Sequence, residues 1–193
     1  MSRFPPIPPS QRTPEQKQTQ NQLESQGTVF GGEGLTRTDS DGTMRGPFVP
    51  LLYTPSICRP LLSFIPIIVN LPHLTPHVRE LAILATASTC KAPFVLHAQS
   101  AIAQSVGLSP EQIAAASAGK LPGGLDAAET AAWGFTLRLA TTPGPLNAET
   151  WDQARSCLGI EGVANLAHVV GAYAHMCLYQ NAADIDWHGG YQM

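Results

Sequence analysis

The side chains best placed to do chemistry are three histidines, His97, His168 and His175, set among largely apolar neighbours. An imidazole both takes and gives a proton near neutral pH. His97 with His168 or His175 would therefore make an acid/base pair for decarboxylation, isomerisation, dehydration or cyclisation of a small organic molecule. His168 and His175 are seven residues apart, so on a helix they share one face two turns apart. Lying in the apolar runs Leu166–Val170 and Ala172–Leu178, each must be hydrogen-bonded or face a cavity. The plainer alternative is a set of satisfied core or interface histidines. With Glu80 the same residues resemble a divalent-metal ligand set. An i,i+7 pair spans roughly 10 Å along a helix, too far for one ion unless the helix bends, so no metal is expected.

Around these histidines stand residues of mixed promise. Glu80 beside Arg79 is either a catalytic carboxylate or a helix salt-bridge or dipole partner. The phenols of Tyr53 and Tyr173 can hydrogen-bond a substrate, although either can equally be a packing residue. Together with Gln99 and Phe94 they form the expected substrate-binding set. His73 and His77 flank Thr75-Pro76 and are expected to face water, whereas Trp133 and Phe135 belong to a core face. Trp187, His188 and Tyr191 fall in a Gly-containing tail that either caps a neighbouring pocket or lies on the surface. Four cysteines, Cys58, Cys90, Cys157 and Cys177, form no CxxC, and Cys90 and Cys177 are expected to be inert buried thiols.

Composition narrows the function class. A hydrophobic content of 44% in 193 residues suits a globular chain with a real core. The charged fraction of 13% is about half the usual share, which points to surface hidden in a homo-oligomer. A net charge of −3 without a Lys/Arg cluster excludes nucleic acid as the expected partner. The N-terminus has no apolar signal segment, and the longest apolar run, Leu61–Val69, is interrupted by Pro66. No membrane association is expected, and a cytoplasmic location with reduced thiols follows. No Gly-rich phosphate loop is present, so no organic cofactor is expected.

The elements that must position these residues read as helices. Residues 1–27 are rich in Pro, Gln, Ser and Thr and predict a disordered tail. Residues 28–45, with Gly31, Gly32 and Gly34, predict an irregular arm, and residues 46–185 the folded domain. Thr54-Pro55 and Thr75-Pro76 each pair a cap with proline at the first helical position. The first helix is expected to kink or end at Pro66, and the second to break near Ala92 ahead of Pro93. A helix through Phe94 and Ile102 should end at Gly107, and Ser109-Pro110-Glu111 opens another. Asp126–Leu139 predicts an amphipathic helix, Asn147 starts one more, and residues 161–183 form the last long one. Nothing alternates with period two for long, so the fold class is all-α. Residues 186–193 are the C-terminal tail.

In this frame Gly46-Pro47-Phe48 and Leu51-Leu52-Tyr53-Thr54-Pro55, then Arg79-Glu80-Leu81-Ala82-Ile83-Leu84, then Ala101-Ile102-Ala103 with Gly107-Leu108-Ser109, and last Gly171, Tyr173 and Asn181-Ala182, occur in order. The pattern resembles the carboxymuconolactone decarboxylase and alkylhydroperoxidase-D-like superfamily over residues 46–185. The resemblance implies a compact helical bundle that assembles as trimers or hexamers, with active sites near subunit contacts. In its peroxidase-like branch a Glu, a CxxC pair and a His relay protons with thiol redox chemistry. In its decarboxylase branch a Glu-Trp pair and a His stand in the same turn.

Carried over without gaps, the family Glu falls on Glu80, its two Cys positions on Ala92 and Val95, its Trp on Leu96 and its His on Gln99. A two-residue gap instead puts His97 on the family His, Cys90 on the first Cys and Pro93 on the second. Neither register restores a CxxC, and disulfide turnover needs a nucleophilic thiolate with a resolving thiol in reach. A CxxC thiol peroxidase is therefore not expected. The expected function is a cofactor-independent acid/base lyase or isomerase with His97 leading and Glu80, His168 or His175 assisting. Its partner would be a small, partly apolar organic substrate. The alternative is a catalytically inactive ligand-binding or scaffold protein.

Overall fold

The computed structural model describes residues 3–25 and 38–185 of the chain. Its contacts define two units, Met1–Ile67 with Tyr179–Met193, and Ile68–Leu178. Seven α-helices occupy the described residues, with three short 3-10 turns, no strand and one isolated bridge between Thr38 and Met44. The all-α expectation is met. The Gly31–Gly34 part of the arm and the tail carrying Trp187, His188 and Tyr191 lie outside the described residues.

The first unit corrects the reading of the N-terminus. Pro14–Ser25, expected to be disordered, forms helix α1. Its start is a reciprocal cap. Thr13 Oγ1 accepts from the Gln16 amide at 3.2 Å, and the Thr13 amide donates to Gln16 Oε1 at 3.0 Å. Gln16 also donates to the Leu52 carbonyl at 3.0 Å. Leu23 is fully buried in a cluster with Met44, Phe48, Val49, Leu51, Leu52, Cys58 and Leu62. Polar composition predicted disorder, but the capping box, the buried Thr19 and Leu23 and the Gln16 bond to Leu52 hold the segment as a helix. Residues 46–53 form two 3-10 turns, Gly46–Phe48 and Pro50–Tyr53.

Helix α2 spans Pro55–Ile68 and passes through both Pro60 and Pro66. Pro66 does not end it; the helix continues two residues beyond.

The second unit is built around α3, Pro76–Thr89, which packs against α6, α4 and α5. Nearly every α3 residue from Val78 to Ala87 is buried, the mark of a central helix surrounded by others. Leu81, Leu84 and Ala85 meet Ala103, Leu108, Ala116 and Trp133. Helices α4 (Pro93–Ser105), α5 (Pro110–Ser117) and α6 (Ala127–Thr141) begin where the proline and capping signals put them. Ser109 with Gln112, and Asp126 with Glu129, form complete capping boxes. The turn after α4 carries Gly107 at φ +105, and the Leu108 amide donates to the Ala103 carbonyl at 3.0 Å.

Helix α7 spans Ala148–Ala183 with a break at Gly159, whose φ of 70 and ψ of 172 are not helical. This separates the start at Asn147 from the final long helix, as the sequence suggests. By length and composition α7 is apolar enough to cross a membrane, which the expectation of no long apolar run did not anticipate. One stripe of it, Val163, Leu166, Val169, Val170, Tyr173 and Cys177, is buried.

Candidate functional site: a buried carboxyl, amide and phenol

Thr75 sets the start of α3, its Oγ1 accepting from the Val78 amide at 3.2 Å. That start turns Glu80 inward to 2% exposure. Arg79 Nε donates to Glu80 Oε1 at 3.1 Å, and Arg79 Nη1 donates to the Val69 carbonyl at 2.6 Å. The guanidinium is thus fixed at both ends. Glu80 Oε2 is buried without a hydrogen-bond partner. Burial raises the Glu80 pKa above the usual carboxylate range, against a smaller downward pull from Arg79.

Helix α4 starts at Pro93 and buries Phe94, Val95, Ala98 and Gln99. Gln99 Nε2 donates to the Tyr173 hydroxyl of α7 at 3.5 Å, while Gln99 Oε1 is buried without a partner. Tyr173 is 6% exposed. Burial first, then the nearby Glu80 charge, push its pKa upward, so the phenol stays neutral. Glu80, Gln99 and Tyr173, three of the expected site residues, are all buried; Gln99 bonds Tyr173, and the Glu80 charge acts on Tyr173. Chemically this is one carboxyl able to hold or release a proton, flanked by an amide and a phenol that hydrogen-bond without ionising.

The histidines stand elsewhere. His97 is half-buried on α4, two residues before Gln99 and about 200° round the helix from it. Gln99, not His97, meets Tyr173. His168 and His175 are exposed, not enclosed in the apolar runs. The reason is helical period: those runs bury Leu166, Val169, Val170, Tyr173 and Cys177, and leave His168, Gly171, His175 and Leu178 on the outer face. No group of three potential ligands able to hold a metal occurs among the described residues.

Tyr53 belongs to the first unit. It donates to the Pro5 carbonyl at 2.7 Å and packs on Phe4 with ring centroids 5.4 Å apart. Its hydroxyl is committed to the chain itself, unlike a group held for substrate. His77 does not simply face water, because Nδ1 lies 3.0 Å from Glu129 Oε1 and Nε2 lies 2.7 Å from the Val106 carbonyl.

Arg79, which the sequence sets beside Glu80 as a salt-bridge partner, anchors the buried carboxyl. Cys177 lies one turn beyond Tyr173 on the buried face of α7, where burial pushes its thiol pKa up.

The helical unit centred on α3 carries a buried carboxyl on that helix, and the fold is similar to the alkylhydroperoxidase-D type. Residues 67–137, which span α3 to α6, match the model of the carboxymuconolactone decarboxylase family. That stretch is similar to the family, and the solved structures below are similar in fold to the chain. Its fold is similar to that of the debrominase Bmp8 in complex with 2,3,4-tribromopyrrole, with a TM-score of 0.72 and 16% identity over 96% of this chain and 91% of that one. Bmp8 without ligand gives 0.71 and 16% over 95% and 91%. The alkylhydroperoxidase AhpD core of an uncharacterised peroxidase-related protein from Ralstonia eutropha JMP134 gives 0.70 and 18% over 95% and 90%. No curated protein sequence matches this chain.

Proposed function

We propose that the chain is a cofactor-independent acid/base enzyme acting on a small, partly apolar organic substrate, with Glu80 as the group that carries the proton. The observation behind this reading is a carboxyl 2% exposed, with a raised pKa and one oxygen lacking a protein partner. A carboxyl poised above its ordinary range is suited to exchange a proton near neutral pH. Arg79 orients it through Oε1, and Gln99 and Tyr173 supply neutral hydrogen bonds that position a substrate without competing for the proton. Phe94, Val95 and Ala98 provide apolar surface on α4. The likeness in fold to a debrominase bound to a brominated pyrrole suits a small apolar ring or chain as substrate, on the strength of fold alone. His97 is not the centre of this reading, since Gln99 is the α4 residue that faces Tyr173.

A second reading, a ligand-binding protein without turnover, is favoured by Gln99. An amide holds a ligand but transfers no proton at neutral pH.

The test is a substrate screen of wild-type chain, Glu80→Gln and His97→Ala against a panel of small lactones, unsaturated acids and β-keto acids, read by mass spectrometry. Turnover by wild type and His97→Ala that is lost in Glu80→Gln supports the enzyme reading. Loss in His97→Ala with Glu80→Gln active removes Glu80 from its centre. Binding of a panel member without turnover selects the second reading.

A further inference from the structure

We infer that the substrate taken at Gln99 and Tyr173 is a neutral molecule carrying an N–H or O–H donor, and that anionic and donor-less molecules are disfavoured there. The inference rests on the acid/base reading in taking these two residues as part of the substrate site, and adds the chemistry of the substrate. Gln99 is 7% exposed and Tyr173 6%, and Gln99 Nε2 donates to the Tyr173 hydroxyl at 3.5 Å. With its nitrogen committed, the amide is left with Oε1, which is buried and has no hydrogen-bond partner. A buried acceptor without a donor is costly, and a ligand's N–H or O–H removes that cost on binding.

The surroundings decide the charge of the ligand. The Gln99 amide is neutral, and burial keeps the Tyr173 phenol protonated. A buried anion needs a paired cation. Arg79 is already bonded through Nε to Glu80 and through Nη1 to the Val69 carbonyl, so its guanidinium is not held ready for a ligand carboxylate. A carboxylate would also bring more acceptor oxygens to an acceptor that lacks a donor.

The Tyr173 oxygen accepts from Gln99, so the phenol can offer its own proton to an acceptor on the ligand. Val95 and Ala103, one turn to either side of Gln99 on the same face of α4, are buried and apolar. The molecule that fits is a small apolar skeleton with one donor and one acceptor, such as a lactam, an enol or a hydroxy ketone. A lactone or a simple carboxylate has no donor for Gln99 Oε1.

The experiment compares 2-pyrrolidinone with γ-butyrolactone, rings of the same size that differ by an N–H in place of the ring oxygen, and adds butyrate as the anionic probe. Each is titrated into the full chain and followed by saturation-transfer NMR. The lactam is expected to bind at least about five-fold more tightly than the lactone, the worth of one net hydrogen bond. Butyrate should bind more weakly than the lactam. His97→Ala, a change on the other side of α4, should keep the preference, and Gln99→Leu should abolish it. The wild-type comparison decides the matter if Gln99→Leu does not fold. Equal affinity for the two rings, tighter binding of the lactone or of butyrate, or a lactam preference that persists in Gln99→Leu overturns the inference and leaves the acid/base reading to its own turnover screen. Absence of transfer to every probe also overturns it, while turnover of a panel substrate would still uphold that reading.

Discussion

His77 reaches Glu129 with one ring nitrogen at 3.0 Å and the Val106 carbonyl with the other at 2.7 Å, so a single imidazole joins the first turn of α3 to the start of α6 and the end of α4. Both neighbours are acceptors, and both contacts are complete only when each nitrogen carries a proton. Glu129 meanwhile accepts from the Asp126 amide at 2.9 Å, closing the α6 capping box. The contact is tight: a Cβ added at Gly107 would sit 3.0 Å from His77 Nε2. His77→Ala is expected to destabilise the chain by about 1–2 kcal/mol, reduced from the buried figure because the ring is part-exposed. Chemical denaturation checks this. A midpoint within error of wild type would mean the clamp contributes nothing.

The α3 terminus should tolerate improvement. Lys91 sits at φ +50, and the Ala92 amide donates to the Ala87 carbonyl at 3.0 Å while the Lys91 amide donates to Ser88 at 3.1 Å. This is the bonding of a Schellman cap, whose left-handed position normally belongs to glycine. A side chain there costs about 1 kcal/mol. Lys91→Gly is expected to raise stability by up to that amount, visible as a higher thermal midpoint. A lower midpoint would show that Lys91 makes a compensating contact.

Glu80 predicts a pH dependence of stability with a definite sign. Its folded pKa lies above the unfolded value because of burial. The group therefore binds its proton more tightly when folded, and its contribution is fully present below the ordinary carboxylate range. That contribution fades as pH rises from there through the raised value. Glu80→Gln keeps the shape, can still accept from Arg79 and does not titrate. The difference in unfolding free energy between wild type and Glu80→Gln should shift against the wild type across that window. A difference that stays constant with pH would place the Glu80 pKa at its ordinary value.

Helix α1 gives a local prediction. Leu23 is fully buried, whereas α1 is otherwise mostly polar. Leu23→Ala should cost about 2–5 kcal/mol at that site. Hydrogen exchange is the suitable probe: α1 amides should lose protection while those of α3 keep theirs. Unchanged protection in α1 would show that its capping box and polar contacts hold it alone.

The sequence by itself determined where most helices begin. Thr75-Pro76, Ser109-Pro110 and Asp126 with Glu129 are local devices, each satisfying backbone amides within one turn. Residues 14–25 read as disordered from their polar composition, which does not record that Leu23 is buried against a later part of the chain. The likeness to the family was also legible over residues 67–137. His168 and His175 stand outside the core because an apolar run does not say which residues in it face inward; the helical phase assigns both to the outer side. What only the tertiary structure decided is a meeting across a long stretch of chain, Gln99 with Tyr173, 74 residues apart. Such a contact joins helices that are each locally complete, so no spacing or cap records it. It depends on how α4 and α7 pack, and packing is a property of the whole unit.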